Sequence, residues 1–198
     1  MIPQGTPEWW QARKGIPTAS RLDDLMAGGS GETRLKYAAE CVAEAMGAEL
    51  PSYSNLDMEW GITYERDAII AYETATFRKA HDTGLLLVDF GDGFSFGATP
   101  DALIGEDGQL EVKCPRTITH ILTFKRGIPS NYYKQVQGQL LATGRAWCDF
   151  VSYDPRLKGA EVYIQRIMPD LEMFDQIRFA VASFHKTMND LKTHIKRQ

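Results

Sequence analysis

The chain has 198 residues, enough for one well-buried domain and too few for two large ones. Hydrophobic residues make up 43% and charged residues 24%, as in ordinary globular proteins, and the formal net charge is −4. This charge argues against a passive DNA-coating protein, so any nucleic-acid contact must come from local patches or bound metal ions. We expect a single domain over residues 1–198.

The N-terminal part of the chain predicts two helices separated by a glycine-rich loop. Ser20 is expected to be the N-cap of a short helix that ends near Ala27, with Asp23 at its third helical position. The loop GGSGE, at residues 28–32, ends this helix. A longer helix is expected over about residues 33–46.

A loop rich in Pro, Ser and Asn then leads to a helix expected over residues 59–77. The apolar stripe of this helix consists of Ile62, Ile69, Ile70 and Tyr72. Helical spacing places Glu65 on the side of this helix that faces the protein interior. Two interpretations of Glu65 stay open, an ordinary solvated glutamate and a third carboxylate near a metal ion.

The middle of the chain predicts a strand meander, with GLLLVDF and FSFGAT as one pair and DALI and QLEVK as a hairpin. A helix over residues 130–143, the strands WCDFVSYD and AEVYIQRI, and a long helix from about Asp170 follow. This order of elements predicts an α/β or α+β protein, in which helices flank a sheet.

The hairpin FGATPDALIGEDGQLEVKCPRT carries charged residues among apolar ones. Glu111 and Lys113 share one face of the second strand. A three-residue loop over 106–108 places Asp101 on that same face, opposite Lys113. A four-residue loop over 105–108 would turn Asp101 away. We favour the three-residue loop, because its last residue is a glycine where φ > 0 is needed.

Two interpretations of these charged residues are open. On a solvent-facing strand edge, Glu111 and Lys113 would be a weak surface pair. In a divalent-metal site, Asp101, Glu111 and the main-chain carbonyl of Val112 would supply oxygen ligands to Mg²⁺. Lys113 would then orient or deprotonate the attacking water, which is an apparatus for phosphodiester hydrolysis. The surrounding Gly, Pro and apolar residues favour the metal site.

Other polar residues could complete such a site. Gln135 and Gln139 are four apart on one helical face, where they are either merely exposed or available to a DNA backbone or a metal-bound water. Arg13 precedes Ser20, and an arginine beside a helix N-terminus could recognise phosphate. Met58 could be a core residue or a wedge at a duplex end.

Cysteine usage and the N-terminus bear on localisation. The three cysteines, Cys41, Cys114 and Cys148, fit no zinc pattern and no disulfide framework, so reduced thiols in a cytoplasm are expected. The start MIPQGTPEWW lacks the basic and apolar regions of a secretory signal. The longest apolar run, GLLLV, is too short to cross a bilayer, so no membrane association is expected.

Five segments occur in an order that matches a known family: EWWQARKGIPTAS, EWGITYERDA, GATPDALIGEDGQLEVKCP, KQVQGQL and SYDPRLKG. From Glu8 to about Gly159 the chain resembles the phage alkaline exonucleases typified by bacteriophage lambda exonuclease, a YqaJ-type viral recombinase family. The broader group is the PD-(D/E)XK nuclease superfamily. The resemblance implies a restriction-endonuclease-like α/β core, in which helices flank a central mixed β-sheet.

The resemblance implies roles for the charged residues. Asp101, Glu111 and the Val112 carbonyl match the metal ligands of the family. Lys113 matches its catalytic lysine, and Glu65 matches the helical carboxylate that supports the metal-bound water.

A second group of residues matches the contacts with DNA. Arg13, Ser20, Thr99 and Gln135 match the pocket for the terminal 5′ phosphate. Thr99 stands where the typical member has serine, which keeps the hydroxyl. Met58 matches a leucine proposed to wedge apart the duplex end.

The implied activity is a two-metal exonuclease that uses Mg²⁺, with Mn²⁺ as a substitute. It would digest double-stranded DNA from 5′ toward 3′, release mononucleotides and leave 3′ single-stranded tails for recombination by strand annealing. The resemblance further implies a phage- or prophage-encoded homotrimer that acts at DNA ends beside a single-strand annealing protein in a bacterial cytoplasm.

Two alternatives stay open beside this activity. An endonuclease would share the chemistry, although the Arg13 and Ser20 pocket favours an exonuclease. A catalytically silent DNA-binding subunit would have no need for the complete set of Asp101, Glu111 and Lys113.

Overall fold

The computed structural model describes residues 2–28, 31–51 and 55–197. The two loops expected at residues 28–32 and before Leu56 therefore lie partly outside the described residues, at 29–30 and 52–54. Within the described ranges, none of the helices is long and apolar enough to span a membrane.

Helices make up most of the N-terminal part of the chain and pack on both sides of the strands. They are α1 (Pro7–Arg13), α2 (Leu22–Leu25), α3 (Glu32–Ala45), α4 (Leu56–Thr76), α5 (Thr117–Arg126), α6 (Ser130–Thr143) and α7 (Leu171–Lys196). A 3₁₀ turn at Ala19–Arg21 leads into α2. The helices expected over about 33–46, over 130–143 and from Asp170 are confirmed.

The strands of the described residues form two sheets. They are β1 (Ile2–Pro3), β2 (Ala80–His81), β3 (Gly84–Asp89), β4 (Ser95–Ala98), β5 (Ala102–Ile104), β6 (Gly108–Lys113), β7 (Trp147–Tyr153) and β8 (Val162–Ile167). The smaller sheet has the order β1-β3-β4 and the larger one β2-β5-β6-β7-β8. Only the β6–β7 pairing in the larger sheet is parallel among the described strands, since α5 and α6 form the crossover between them. The expected mixed sheet flanked by helices is confirmed.

Helix α6 lies where the two sheets meet and separates the parts of the core. Its residues Val136 and Leu140 are buried with Phe150 of β7. On the N-terminal side, α2, α3, α7 and β4 enclose a second cluster that includes Leu22 and Phe184. Helix α4 packs a third cluster against β6 and β7. Both sheets therefore present residues toward α6, and the site described below lies between this helix and the strands.

The apolar stripe expected on α4 is half wrong. Ile69 and Tyr72 are buried as expected, but Ile62 is 74% and Ile70 47% exposed. Burial on α4 begins only at Ala68, so the first three turns of the helix extend beyond the core that its second half covers. The helix also begins earlier than expected, with Asn55 as its N-cap: the side chain accepts a hydrogen bond from the Met58 N–H at 2.9 Å.

The expected N-cap role of Ser20 is wrong. Ser20 lies inside the 3₁₀ turn, its Oγ is 3.1 Å from Thr18 Oγ1, and α2 begins only at Leu22 without a side-chain cap. Leu22 is wholly buried against α6 at Gly138, where a Cβ atom would lie 2.4 Å from the leucine side chain. Packing against α6, rather than capping, therefore sets the start of this short helix.

The expected hairpin register is also wrong, by two residues. The loop is 105–107, and Ile104 pairs with Gly108. Gly105, at φ +56°, is the left-handed residue. Continuing this register places Asp101 opposite Glu111 rather than Lys113. Because the shift is an even number of residues, Asp101 stays on the expected face.

Gly108 is a glycine for a different reason than turn geometry. A Cβ atom there would lie 2.1 Å from the ring of Trp147, which packs directly on the strand. The residue therefore permits close packing between β6 and β7 and does not turn the chain.

Candidate active site

A ladder of polar side chains joins one face of α6 to one face of β6. Helix α6 contributes Gln135, Gln139 and Thr143, and β6 contributes Lys113, Glu111 and Gln109. Four helical residues rise about 6 Å. Two strand residues advance about 6.6 Å. Because these spacings nearly match, Gln139 meets Glu111 and Thr143 meets Gln109, while Gln135 also reaches Glu111.

Glu111 lies at the centre of this ladder and is wholly buried. Its Oε1 accepts hydrogen bonds from the Lys113 ammonium group and from Gln135 Nε2, the latter at 2.5 Å. Its Oε2 accepts one from Gln139 Nε2 at 2.7 Å. A carboxylate is buried at tolerable cost only when it is paired and hydrogen-bonded in this way. The solvent-facing edge that the sequence left open is therefore wrong for Glu111, and Gln139 is not an exposed glutamine.

Asp101 lies on the same face as Glu111 and is half-buried, since it also lines the cavity described below. Its Oδ2 accepts a hydrogen bond from the Val112 N–H at 2.6 Å. Burial raises the pKa of Asp101 well above its ordinary value, and the nearby charges of Glu111 and Glu65 raise it further, although Lys113 lowers it. This is the behaviour of carboxylates brought together with too little positive charge between them.

Lys113 and Glu65 complete the charged group. Burial alone would lower the pKa of Lys113, but Glu111 and Asp101 raise it more, so the ammonium form is stabilised. The Lys113 Nζ atom also lies 5.5 Å from the ring centroid of Tyr132. Glu65, on α4, has a pKa raised mainly by burial, with Lys113 lowering it. Glu65 therefore lies on the inward side of α4, close to Lys113, as its helical spacing predicted.

One cavity of about 220 Å³ brings most of the expected site residues together. Its walls include Arg13, Ser20, Glu65, Thr99, Asp101, Glu111, Lys113 and Gln135. Val112 and Met58 are not among its lining residues. Both line a neighbouring groove of about 430 Å³ that shares Glu65 and Lys113 with the cavity. The expected residues therefore occupy two adjoining spaces at one end of β6.

Arg13 lies in the last turn of α1 and is held by aromatic contacts. Its guanidinium carbon is 4.2 Å from a ring centroid of Trp9, whose Nε1 donates to Thr99 Oγ1 at 3.2 Å. Burial lowers the pKa of Arg13, and Tyr37 and Glu44 offset part of this. No carboxylate pairs with the guanidinium among the residues that the structure describes. An oriented arginine without an anionic partner is suited to bind an anion such as phosphate.

The chain matches a known protein family over most of its length. Residues 8–146 match the YqaJ-like viral recombinase domain. This chain belongs to that family. The resemblance drawn from the five sequence segments is thereby confirmed.

Solved structures agree with this assignment. The chain is similar to the alkaline exonuclease LHK-Exo of Laribacter hongkongensis, with 37% identity and a TM-score of 0.87 over 97% of both chains. For the same exonuclease in complex with dAMP, the values are 38% and 0.88, again over 97% of both chains. A phage related exonuclease of Haemophilus somnus 129PT shares the fold at 15% identity, with a TM-score of 0.70 over 91% of this chain and 96% of that one. Among curated proteins, none matches.

The chemistry of the donor set fits a hard divalent cation. Asp101 and Glu111 lie side by side with Glu65 nearby, and Lys113 is the cation among them. Within the described ranges, no three His, Cys, Asp or Glu side chains converge into a metal cage. Mg²⁺ usually binds through one or two carboxylates together with water and substrate phosphate, so the pair is sufficient. A divalent cation would also offset the burial and the charge of Glu111, which together raise the pKa of Asp101.

Two residues of the site had only weak signals in the sequence. Gln139 was detectable as the i+4 neighbour of Gln135, but nothing local indicated that both amides would meet Glu111. Trp9 contacts both Arg13 and Thr99, residues that are 86 positions apart in the chain, and only the fold reveals this.

Proposed function

We propose that this chain is a metal-dependent exonuclease that degrades double-stranded DNA from 5′ ends toward 3′, releases mononucleotides and leaves 3′ single-stranded tails for recombination. The observation that carries the proposal is one cavity that combines two adjacent carboxylates and Lys113 with Arg13, which has no carboxylate partner among the described residues. Membership of the viral recombinase family and similarity to alkaline exonucleases support DNA exonuclease chemistry.

The proposed chemistry divides between a bound cation and the protein. Mg²⁺, or Mn²⁺ in its place, would polarise the scissile phosphate, with Asp101, Glu111 and the Val112 carbonyl as ligands in a two-metal type of site. Lys113 places positive charge where negative charge grows in the transition state. The Lys113 ammonium group, which donates to Glu111 Oε1, would orient the attacking water. Glu65, which lines the same cavity, would support the metal-bound water.

The proposed pocket for the terminal 5′ phosphate consists of Arg13, Ser20, Thr99 and Gln135. With α2 only four residues long, phosphate recognition rests on the guanidinium, the hydroxyls and the amide rather than on a helix N-terminus. Gln135 bonds Glu111 directly, so the phosphate pocket and the metal site are contiguous. The dAMP bound by LHK-Exo is a nucleoside monophosphate, which supports mononucleotides as the product.

The remaining parts of the proposal rest on the family resemblance. Met58, 49% exposed at the start of α4, is proposed as a wedge at the duplex end. We also propose a homotrimer, a single-strand annealing protein as partner, a phage or prophage origin, and a bacterial cytoplasm as the place of action.

Labelling the 3′ ends of a linear duplex tests the proposed direction. Digestion from the 5′ ends leaves the label on long single strands until late in the reaction. Digestion from the 3′ ends releases it at once as labelled mononucleotide, and that outcome would contradict the proposed polarity. Parallel reactions with excess chelator should show no release in either case.

A further inference from the structure

Gln139 of α6 makes two hydrogen bonds through one amide nitrogen. Its Nε2 donates to Glu111 Oε2 at 2.7 Å and to the main-chain oxygen of Thr99 at 3.2 Å. Both partners are acceptors only, so the nitrogen and not the oxygen of the amide must face them. The side chain is 1% exposed, and its orientation is therefore fixed by contacts and by packing.

The oxygen of the same amide is left without a partner. Gln139 Oε1 is buried and accepts no hydrogen bond from any residue that the structure describes. An unpaired buried acceptor is costly, and an apolar side chain of similar size would avoid that cost. The chain instead keeps a glutamine whose nitrogen holds Glu111 and Thr99. The donor groups of Gln139 therefore have a role beyond filling space.

The two contacts of Gln139 constrain the two carboxylates together. Lys113 and Gln135 both donate to Oε1 of Glu111, so neither fixes the second oxygen. Gln139 is the donor to Oε2 within the described chain, and it therefore sets the rotation of the carboxylate plane. Its bond to Thr99 holds the main chain two residues before Asp101. One amide thus links Glu111 to the segment that carries Asp101.

We propose that Gln139 is a positioning residue that holds Glu111 and Asp101 in register, and thereby sets the affinity of the site for a divalent cation. This inference rests on the proposed metal-dependent function. Hydrogen bonds that orient a metal ligand typically change metal affinity by about 10- to 100-fold when they are removed.

Helix α6 supplies a matched control two residues away. Gln137 is also wholly buried, but its amide points to another part of the fold: Nε2 donates to the Met168 main-chain oxygen at 2.9 Å, and Oε1 accepts from the Asp170 N–H at 3.0 Å. Replacing Gln137 removes two hydrogen bonds of a wholly buried α6 side chain without touching Glu111. Its variant separates general destabilisation from loss of positioning.

The test is calorimetric titration of Mn²⁺ into the metal-free full chain without DNA, combined with thermal melting at zero and saturating Mn²⁺. Gln139→Met should bind Mn²⁺ about 10- to 100-fold more weakly than wild type and lose most of the Mn²⁺-induced rise in Tm. Gln137→Met should lower the Tm of the metal-free protein while its Mn²⁺ affinity stays within about twofold of wild type. Gln139→Asn keeps the amide but is one methylene too short to span both acceptors, and it serves if Gln139→Met does not fold.

Three outcomes would contradict the proposed role of Gln139. Wild-type Mn²⁺ affinity in either folded Gln139 variant overturns the inference and leaves the proposed function standing. Equal losses in the Gln137 and Gln139 variants also overturn it, because destabilisation then accounts for both. Absence of Mn²⁺ binding by the wild-type chain contradicts the proposed metal site itself, and the inference falls with it.

Discussion

Asp154 is expected to contribute about 2 kcal/mol to stability at neutral pH, and to lose that contribution in acid. Its carboxylate is wholly buried at the turn after β7. Oδ1 accepts from the main-chain N–H of Arg156 at 3.0 Å and from its Nε at 2.8 Å. Oδ2 accepts from Arg156 Nη2 at 3.0 Å and from Thr117 Oγ1 at 2.5 Å.

The magnitude follows from the pKa of this group. Burial raises the pKa of Asp154, but the hydrogen bonds from Arg156 and Thr117 outweigh it and lower the pKa from 3.8 to about 2. At about 1.4 kcal/mol for each pH unit, this lowering is worth about 2 kcal/mol. Because the folded pKa lies below the unfolded one, the stabilisation is complete above about pH 5 and is lost as the pH falls toward 2.

Urea unfolding of Asp154→Asn at pH 7 and at pH 3 measures this directly. The variant should be about 2 kcal/mol less stable than wild type at pH 7, and the gap should narrow by about half at pH 3. Asp175→Asn is the control, since Asp175 is an exposed partner of Arg178 and should change stability little at either pH. A stability difference of equal size at both pH values would show that the ionised carboxylate of Asp154 is not its source.

Three further predictions concern the proposed site. Asp101→Asn should abolish cleavage. It should also raise the Tm of the metal-free protein, because it removes one of two neighbouring carboxylates. A Tm below that of wild type, measured in excess chelator, would contradict repulsion between Asp101 and Glu111. Lys113→Ala should reduce kcat by about 100-fold or more with little change in DNA affinity, whereas equal losses in single-turnover rate and affinity would make it a phosphate anchor. Arg13→Ala should slow digestion of 5′-phosphorylated duplex by about 10- to 100-fold, toward the rate on 5′-hydroxyl duplex, at one salt concentration. Equal slowing of both substrates would assign Arg13 to general backbone contacts or to a structural role.

Local sequence patterns predicted the elements that bury apolar residues with regular spacing. The strands β3, β4 and β6 to β8, and the helices α3, α6 and α7, lie within a few residues of their expected positions. Helix α5 was missed because its pattern is inverted. It buries His120 and Thr123 and exposes Ile118 and Ile121. His120 is accommodated because its ring nitrogens meet Ser152 Oγ at 2.7 Å and the Ala160 main-chain oxygen at 2.9 Å.

In the hairpin, contacts with residues distant in the chain determine features that local sequence patterns do not predict. Gly108 fits the sequence rules for a turn, but a glycine is required there because the ring of Trp147, 39 residues later in the chain, leaves no room for a side chain. The charged face of β6 was predictable because a two-residue shift keeps side chains on the same side. The burial of Glu111 was not predictable, because the three donors that make it tolerable include two glutamines from α6.

This chain is proposed to hydrolyse DNA from its ends with the help of a divalent metal ion. The most direct measurement compares nucleotide release from linear 5′-phosphorylated duplex and from covalently closed circles of the same sequence, each with Mg²⁺ and with excess chelator. We expect rapid release of mononucleotides from the linear DNA with Mg²⁺, no reaction in chelator, and intact circles throughout. Cutting of closed circles as fast as linear DNA would make the chain an endonuclease, and full activity in chelator would contradict the metal site.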